Sequence, residues 1–218
     1  MSKTVTLDPP PPRAGGGGRR HAPPAGLLAD RGLPPDGAAV SAGEYLDLAG
    51  ATNLPVEWVD GRLEYLPMPS RTHQNVVFHF AAELKAFLRS SGFDPEVLVA
   101  PFPVLVNGRR REPDVAALLD AADARGGERL WTGADLLAEV VSPDDPDRDY
   151  VEKRADYAGA GVPEYWIVDP RAGVRRVTVL TLDGAAYRER GAFAEGAAAT
   201  SALLPGFAAD VSALLDAR

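Results

Sequence analysis

Two nearly continuous apolar runs, "EPDVAALL" over residues 112–119 and "DLLAEVVS" over residues 135–142, constrain the fold most. Strands with one wet face alternate apolar and polar side chains, whereas strands covered on both faces do not. The two runs are therefore predicted as central strands of a sheet with helices on both sides. Past the leading Glu112 and Asp135, each carries one further acid, Asp114 or Glu139. A carboxylate on a central strand is costly to bury unless it is paired, protonated or bound to a cation. Two readings stay open here. Both acids lie at strand ends and reach water, or neighbouring strands present them together to one Mg²⁺, which favours oxygen ligands and keeps several waters.

The flanking sequence supplies the rest of such a domain. Ser41 and Glu44 form the capping-box pattern S-x-x-E and predict a short helix. "VEWVDGRLEYL" reads as two strands turning at Asp60-Gly61. From Ser70 to Ser91, Val76, Val77, Phe80, Ala81, Leu84, Phe87 and Leu88 recur at helical spacing and Gly92 stops the run. "EVLVAPFPVLV" reads as one strand preceding the two central runs. A helix is expected over residues 147–159, then a strand "EYWIVD", a hairpin turning at Asp183-Gly184, and a short closing helix in "LLPGFAADVSALLDA". Residues 1–36 contain "PPPPRAGGGG" and "LPPDG" with no apolar period, and are expected to be a disordered tail ahead of one domain over residues 37–218. "GGGG" lacks the preceding strand and following "GK[ST]" of a phosphate loop, which leaves Arg19 and Arg20 at most a weak anion-binding role.

Composition removes several function classes. The chain of 218 residues has no cysteine, so disulfides, cysteine-zinc sites and cysteine nucleophiles are excluded. A cytoplasmic location is the expectation that follows. No apolar run reaches the length of a membrane span, so no membrane partner is expected. A formal charge of −8 argues against bulk electrostatic attraction to DNA but suits a site built from carboxylates. No serine has a G-x-S-x-G context.

The stretch "VSPDDPDRDYVEKRADYAGAGVPEYWIVDP" concentrates charge and aromatic rings. Tyr150, Lys153 and Tyr157 fall at i, i+3 and i+7, which on an α-helix is one face. Lys153 either forms a surface pair with Asp149 or points inward toward Glu139. Asp145, Asp147 and Asp149 open like a calcium loop, but Tyr150 stands where that loop needs glycine and Lys153 is a cation at its ninth position. His73 sits on the core-facing stripe of the long helix, either as a hydrogen-bonded helix-terminal histidine or as a site residue, while His79 lies off the stripe.

These segments, with "EWVDGRLEYLPMPSRTHQ", "EPDVAAL" and the terminal "LLPGF", closely resemble the Uma-two family of restriction endonucleases, within the PD-(D/E)xK nuclease superfamily. The likeness spans about residues 40–216. It implies a restriction-endonuclease-like α/β fold, a mixed β-sheet core flanked by helices with an N-terminal hairpin. It also implies a metal-dependent endonuclease acting on DNA with Mg²⁺ or Mn²⁺. Asp114 of "PD" matches the first metal-binding carboxylate and Glu139 the second, with the backbone carbonyl of Val140 as a further ligand. The superfamily pattern places lysine two positions after that glutamate, where this chain has Val141. Lys153 matches the lysine that takes over from the following helix. His73 matches the family's histidine near the start of the long helix, Glu57 the acid ahead of the "VDG" turn, and Tyr157 fixes the lysine or touches the phosphate. Two alternatives remain: a weak or inactive nuclease-like domain that binds nucleic acid or a protein, and a hydrolase of another phosphoester. A homodimer, with "EYWIVD" as one supporting strand, is a fold-level analogy.

Overall fold

The computed structural model describes residues 23–218. Helix α1 (Ala25–Asp30) and helix α2 (Ala42–Ala51) precede a hairpin of β1 (Val56–Val59) and β2 (Arg62–Tyr65). Ser41 caps α2 with the full capping box: its side chain accepts from Glu44 N–H, and Glu44 reaches back to Ser41 N–H. The hairpin turns at Asp60-Gly61, both at positive φ, as a tight turn between twisted strands requires. Helix α3 (Arg71–Ser90) is capped by Ser70 and ends before Gly92, as its pattern predicts. Then follow β3 (Glu96–Val99), β4 (Val104–Val106), β5 (Arg109–Arg111), β6 (Val115–Leu118) and β7 (Leu136–Val140). A π-helical turn (Arg148–Lys153) runs straight into α4 (Arg154–Gly159). The chain closes with β8 (Glu164–Asp169), β9 (Arg176–Asp183), β10 (Ala186–Ala194), β11 (Ala198–Thr200), β12 (Ala208–Asp210) and α5 (Val211–Leu215).

The main sheet has the order β10-β9-β8-β7-β6-β3, with β7 and β8 parallel and the other neighbours antiparallel. It is the predicted mixed sheet, and β6 and β7 are interior to it. Along β7, Ala138 and Val140 join the core beneath α3 and α5, while Leu137 and Val141 join the core on the opposite face beneath α4. This is the period-2 alternation of a strand covered on both sides. The α3 stripe of Val76, Phe80, Leu84 and Leu88 is buried there, and truncating Leu84 to Ala would cost about 2–5 kcal/mol.

Two expectations about the strands need correction. "EVLVAPFPVLV" is not one strand: Pro101 and Pro103 interrupt it, and proline cannot continue a ladder through its missing N–H. Its halves enter different sheets, β3 in the main sheet and β4 in a second sheet of order β2-β1-β5-β4. The partner of β4 is β5, joined through Asn107-Gly108 at positive φ. The C-terminal hairpin turns at Gly184-Ala185, one residue later than expected, because Asp183 pairs with Ala186.

The tail boundary also moves. Residues 1–22 lie outside the described residues. Within the remainder of the expected tail, Leu28 of α1 is 2% exposed and packs in a cluster with Tyr45, Leu63 and Tyr65. Tyr65 donates from its hydroxyl to Pro34 O and from its amide to Asp36 Oδ1. Leu28, the partly buried Leu33 and two hydrogen bonds from Tyr65 hold this segment, too few to show as a periodic pattern. Finally, β8 is flanked by β7 and β9, so "EYWIVD" has no free edge through which a second copy could pair.

Candidate active site

Strand register brings the two predicted acids together. Val115 pairs with Ala138 and Ala116 with Leu137, so the next step of the same antiparallel ladder sets Asp114 opposite Glu139. Both line one cleft of about 670 Å³, together with His73, Val140, Arg148, Asp149 and Lys153. The cleft opens where β6 begins and β7 ends, between the start of α3 and the π-helical turn.

Each acid is held by two donors or ring contacts. Asp114 Oδ1 lies 2.9 Å from His73 Nε2, and Asp114 Oδ2 accepts from Val140 N–H at 2.7 Å. His73 is placed by the cap of α3, since Ser70 Oγ accepts from the His73 amide at 3.1 Å. Glu139 is 2% exposed; its Oε1 accepts from the Tyr157 hydroxyl and its Oε2 from Lys153 Nζ at 2.7 Å. The inward reading of Lys153 therefore holds and the surface-pair reading does not: Lys153 is 3% exposed, and Asp149 Oδ1 is the longer contact at 3.6 Å. Val141, where the superfamily pattern has lysine, is buried in the apolar core on the Glu139 side of the sheet.

The helix geometry differs from the α-helical expectation. A π-helical turn bonds i to i+5 and takes up an extra residue, so the register of faces shifts along it. Lys153 and Tyr157 converge on Glu139, but Tyr150 turns away and donates to Asp169 Oδ2 at 3.0 Å. Arg148 and Asp149 join Lys153 at the cleft instead. Asp149 is 5% exposed and belongs to this centre, not to an open calcium-type loop. Sequence periodicity could not reveal that shift; the acid-rich stretch before Lys153 was the one available signal. His79 sits off the core stripe beside Glu83.

Burial, helped by the charges of Asp114 and Asp149 and opposed by Lys153, leaves Glu139 raised to about 8. Burial likewise raises Asp149 to about 6 against the pull of Lys153. Lys153 moves the other way from the usual buried lysine. Burial disfavours its charge, but Glu139, Glu57 and Asp149 outweigh that and hold it protonated. The ammonium is thus the firmer charge of the Lys153–Glu139 pair.

Behind the cleft lies a buried ion network. Glu57 is fully buried and accepts from Arg111 Nη1 at 2.7 Å and Arg148 Nη2 at 2.5 Å, with Lys153 Nζ at 3.7 Å. Arg148 also reaches Glu64 at 3.2 Å. Arg111 and Arg109 both bind Asp156, on the helix just ahead of Tyr157. Glu112 is 4% exposed, accepts from Val56 N–H at 3.1 Å and is pushed up to about 8 by burial and by the Glu57 charge.

Two carboxylates lining one cleft are the donor type a hard cation that keeps most of its water shell would take. Among the described residues, no three histidine or acidic side chains form a group that could hold an ion unaided. Asp114 and Glu139 are the two predicted carboxylates that line the cleft where such an ion would have to be held, with water completing its shell. Val140 donates its N–H to Asp114 Oδ2 and so ties the two strand ends together.

A mixed sheet sandwiched by helices, with acids at the ends of two interior strands and a lysine reaching them from the following helical turn, defines a restriction-endonuclease-like α/β protein. The chain belongs to the Uma2 family, whose model, described as "Putative restriction endonuclease", matches residues 42–212. A crystal structure described as "a putative nuclease belonging to DUF820", from Anabaena variabilis ATCC 29413, is similar at a TM-score of 0.63 and 15% identity. The match covers 78% of this chain and 96% of that one. No curated protein matches. No helix among the described residues is long and apolar enough to cross a membrane.

Proposed function

We propose that the cleft is the active centre of a metal-dependent endonuclease that hydrolyses phosphodiester bonds in DNA. The observation that carries this reading is Lys153 Nζ at 2.7 Å from Glu139 Oε2, on the strand position that faces Asp114. Asp114 and Glu139 would hold Mg²⁺ or Mn²⁺, which supplies Lewis-acid polarisation of the phosphate and acidification of water.

The protein groups do the rest. Lys153 is a fixed, protonated donor beside the reacting phosphate, placed to orient the attacking water or to stabilise charge growing on phosphate oxygen. Tyr157 holds Glu139 by its other oxygen and so leaves the Lys153-facing oxygen in a set direction. His73 and the Val140 amide do the same for Asp114. Val141 cannot serve as the second-strand lysine, and Lys153 replaces it from the helix.

A second reading draws on a specific observation. Lys153 lies among Glu139, Asp149 and Glu57, and Arg148 lies between Glu57 and Glu64, so the cleft cations are engaged by the protein's own acids. That favours a weakly active or inactive relative that binds nucleic acid or a protein. Plasmid nicking with and without Mg²⁺, run beside Asp114→Ala, separates the two. Metal-dependent nicking lost in Asp114→Ala supports the endonuclease; no nicking at any metal concentration supports the binding domain.

A further inference from the structure

β5 reads "RRR", and three adjacent arginines resemble a phosphate-binding strip. The strand's alternation uses them internally instead. Arg110 points to one face and stacks over the Trp58 ring at 4.7 Å from its centroid. Arg109 and Arg111 point to the other face, toward the helix that carries Lys153 and Tyr157.

Arg111 is the most constrained of the three. It is 0% exposed and its guanidinium spans two acids. Nη1 donates to Glu57 Oε2 at 2.7 Å, while Nε and Nη2 donate to Asp156 Oδ2 at 2.9 and 2.7 Å. Glu57 in turn faces Lys153 and binds Arg148, and Glu57 Oε1 also accepts from the Glu112 amide at 3.1 Å, next along the chain to the "PD" motif. Neither Arg111 nor Glu57 lines the cleft. A bound substrate therefore meets Lys153 and Arg148 but not Glu57 and Arg111 behind them.

We propose that Arg111 is a positioning residue for Lys153, acting through Glu57 and Asp156, so that the four-stranded sheet is part of the active centre and not a separate appendage. This rests on the endonuclease reading of the cleft. The physical reason is geometric. A lysine has a long, flexible stem and a point charge, so one carboxylate does not fix its direction. Glu139 and Asp149 hold it from the cleft side, Glu57 supplies a third acid from behind at 3.7 Å, and the planar Arg111 fork sets the position of that acid relative to the helix. A single hydrogen-bonded wedge thus ties β1, β5 and the helix into one frame.

Two measurements test this, one of them independent of cleavage. The chain has three lysines, Lys3, Lys85 and Lys153. Acetylation of the folded protein by an amine-reactive ester, followed peptide by peptide in a mass spectrometer, reports how firmly Lys153 is held relative to Lys85. Arg111→Lys keeps the charge but cannot span both acids; it is expected to speed acetylation of Lys153 while leaving Lys85 unchanged. Glu57→Gln, which conserves volume, is the second variant should Arg111→Lys fail to fold, with the same outcome expected. A residue that serves only overall stability would lower the melting temperature without selectively exposing Lys153, and that result overturns the proposal.

The second measurement is a double-mutant cycle in single-turnover nicking. Arg111→Lys is expected to lower the rate on the order of 100-fold, the scale of a small misplacement of a catalytic group, with little change in DNA affinity. In a Lys153→Met background the same substitution should change the residual rate by less than about twofold, because its target is gone. Fully additive losses overturn the proposal. If the wild-type protein cuts no DNA, the endonuclease reading fails while the acetylation result still decides whether Arg111 positions Lys153.

Discussion

Lys153 Nζ lies 2.7 Å from Glu139 Oε2, with both side chains nearly sealed from solvent, and the pair joins a helix to an interior strand at the floor of a cleft. The pair has two separable consequences. If Lys153 is the site's charge-stabilising donor, Lys153→Ala lowers single-turnover nicking on the order of 100- to 1000-fold. Lys153→Arg also fails, because a planar fork does not replace a point charge in a cage of three acids.

The burial of that pair changes what is expected for stability. A surface lysine would cost under about 1 kcal/mol on removal. Removing one partner of a buried pair instead costs about 3–5 kcal/mol, since the other charge is left uncompensated. Lys153→Ala should therefore also melt earlier, and urea titration checks it. Lys153→Met, which refills the volume, should lose the same activity; its urea midpoint relative to Lys153→Ala measures how much of the loss is packing.

Metal linkage tests the acids. A cation that binds only the folded state raises the melting temperature in proportion to ln(1 + [L]/Kd). Mg²⁺ or Mn²⁺ should do so for the wild type, and Glu139→Gln or Asp114→Asn should abolish most of the rise. A rise that survives both substitutions would place the ion elsewhere.

Glu57 predicts an acid limb in the stability curve. Burial works against its charge, but Arg148, Arg111 and Lys153 overcome that and hold the carboxyl well below the ordinary value of 4.5. The unfolded chain then binds the proton more readily than the folded one. The contribution is fully present above about pH 4.5 and is lost as pH falls below it toward the folded-state value. Glu57→Gln should be less stable at neutral pH, and its stability should fall less steeply on acidification. Denaturant midpoints measured from pH 7 down to pH 3 give the comparison.

The segment before the domain supplies a fourth test. Leu28 is nearly buried against Tyr45 and Tyr65, so Leu28→Ala should cost about 2–5 kcal/mol, the range for an emptied core site. Deleting residues 1–36 should lower the melting temperature, contrary to what its proline- and glycine-rich composition implies. An unchanged melting temperature would show that α1 contributes nothing to the fold.

Local rules carried much of the architecture. Ser41 with Glu44, Asp60-Gly61, and Ser70 through Gly92 each combine a start or turn residue with a clean apolar period, and each forms the predicted element. The doubly buried character of β6 and β7 was legible for the same reason: neither run leaves a polar face for water. The acids on them pointed to the candidate site, because a buried carboxylate without compensation is costly. The hairpin of β4 and β5 was legible too, in its Asn107-Gly108 turn, but the apolar text of "EVLVAPFPVLV" read as one strand and masked it.

What the sequence by itself determined is α2, the first hairpin, α3, the two interior strands and the candidacy of Asp114, Glu139 and Lys153. Only the tertiary structure decided how they meet. The antiparallel register that sets Asp114 opposite Glu139 depends on pairing between distant segments. The π-helical turn depends on docking of the helix, and it exchanges Tyr150 for Arg148 and Asp149 at the cleft. The wedge of Arg111 between Glu57 and Asp156 depends on a second sheet meeting that helix. Periodicity is a property of neighbours along the chain, whereas the direction and charge of Lys153 are fixed by acids contributed from β1, β7 and its own helix, which come together only in the folded protein.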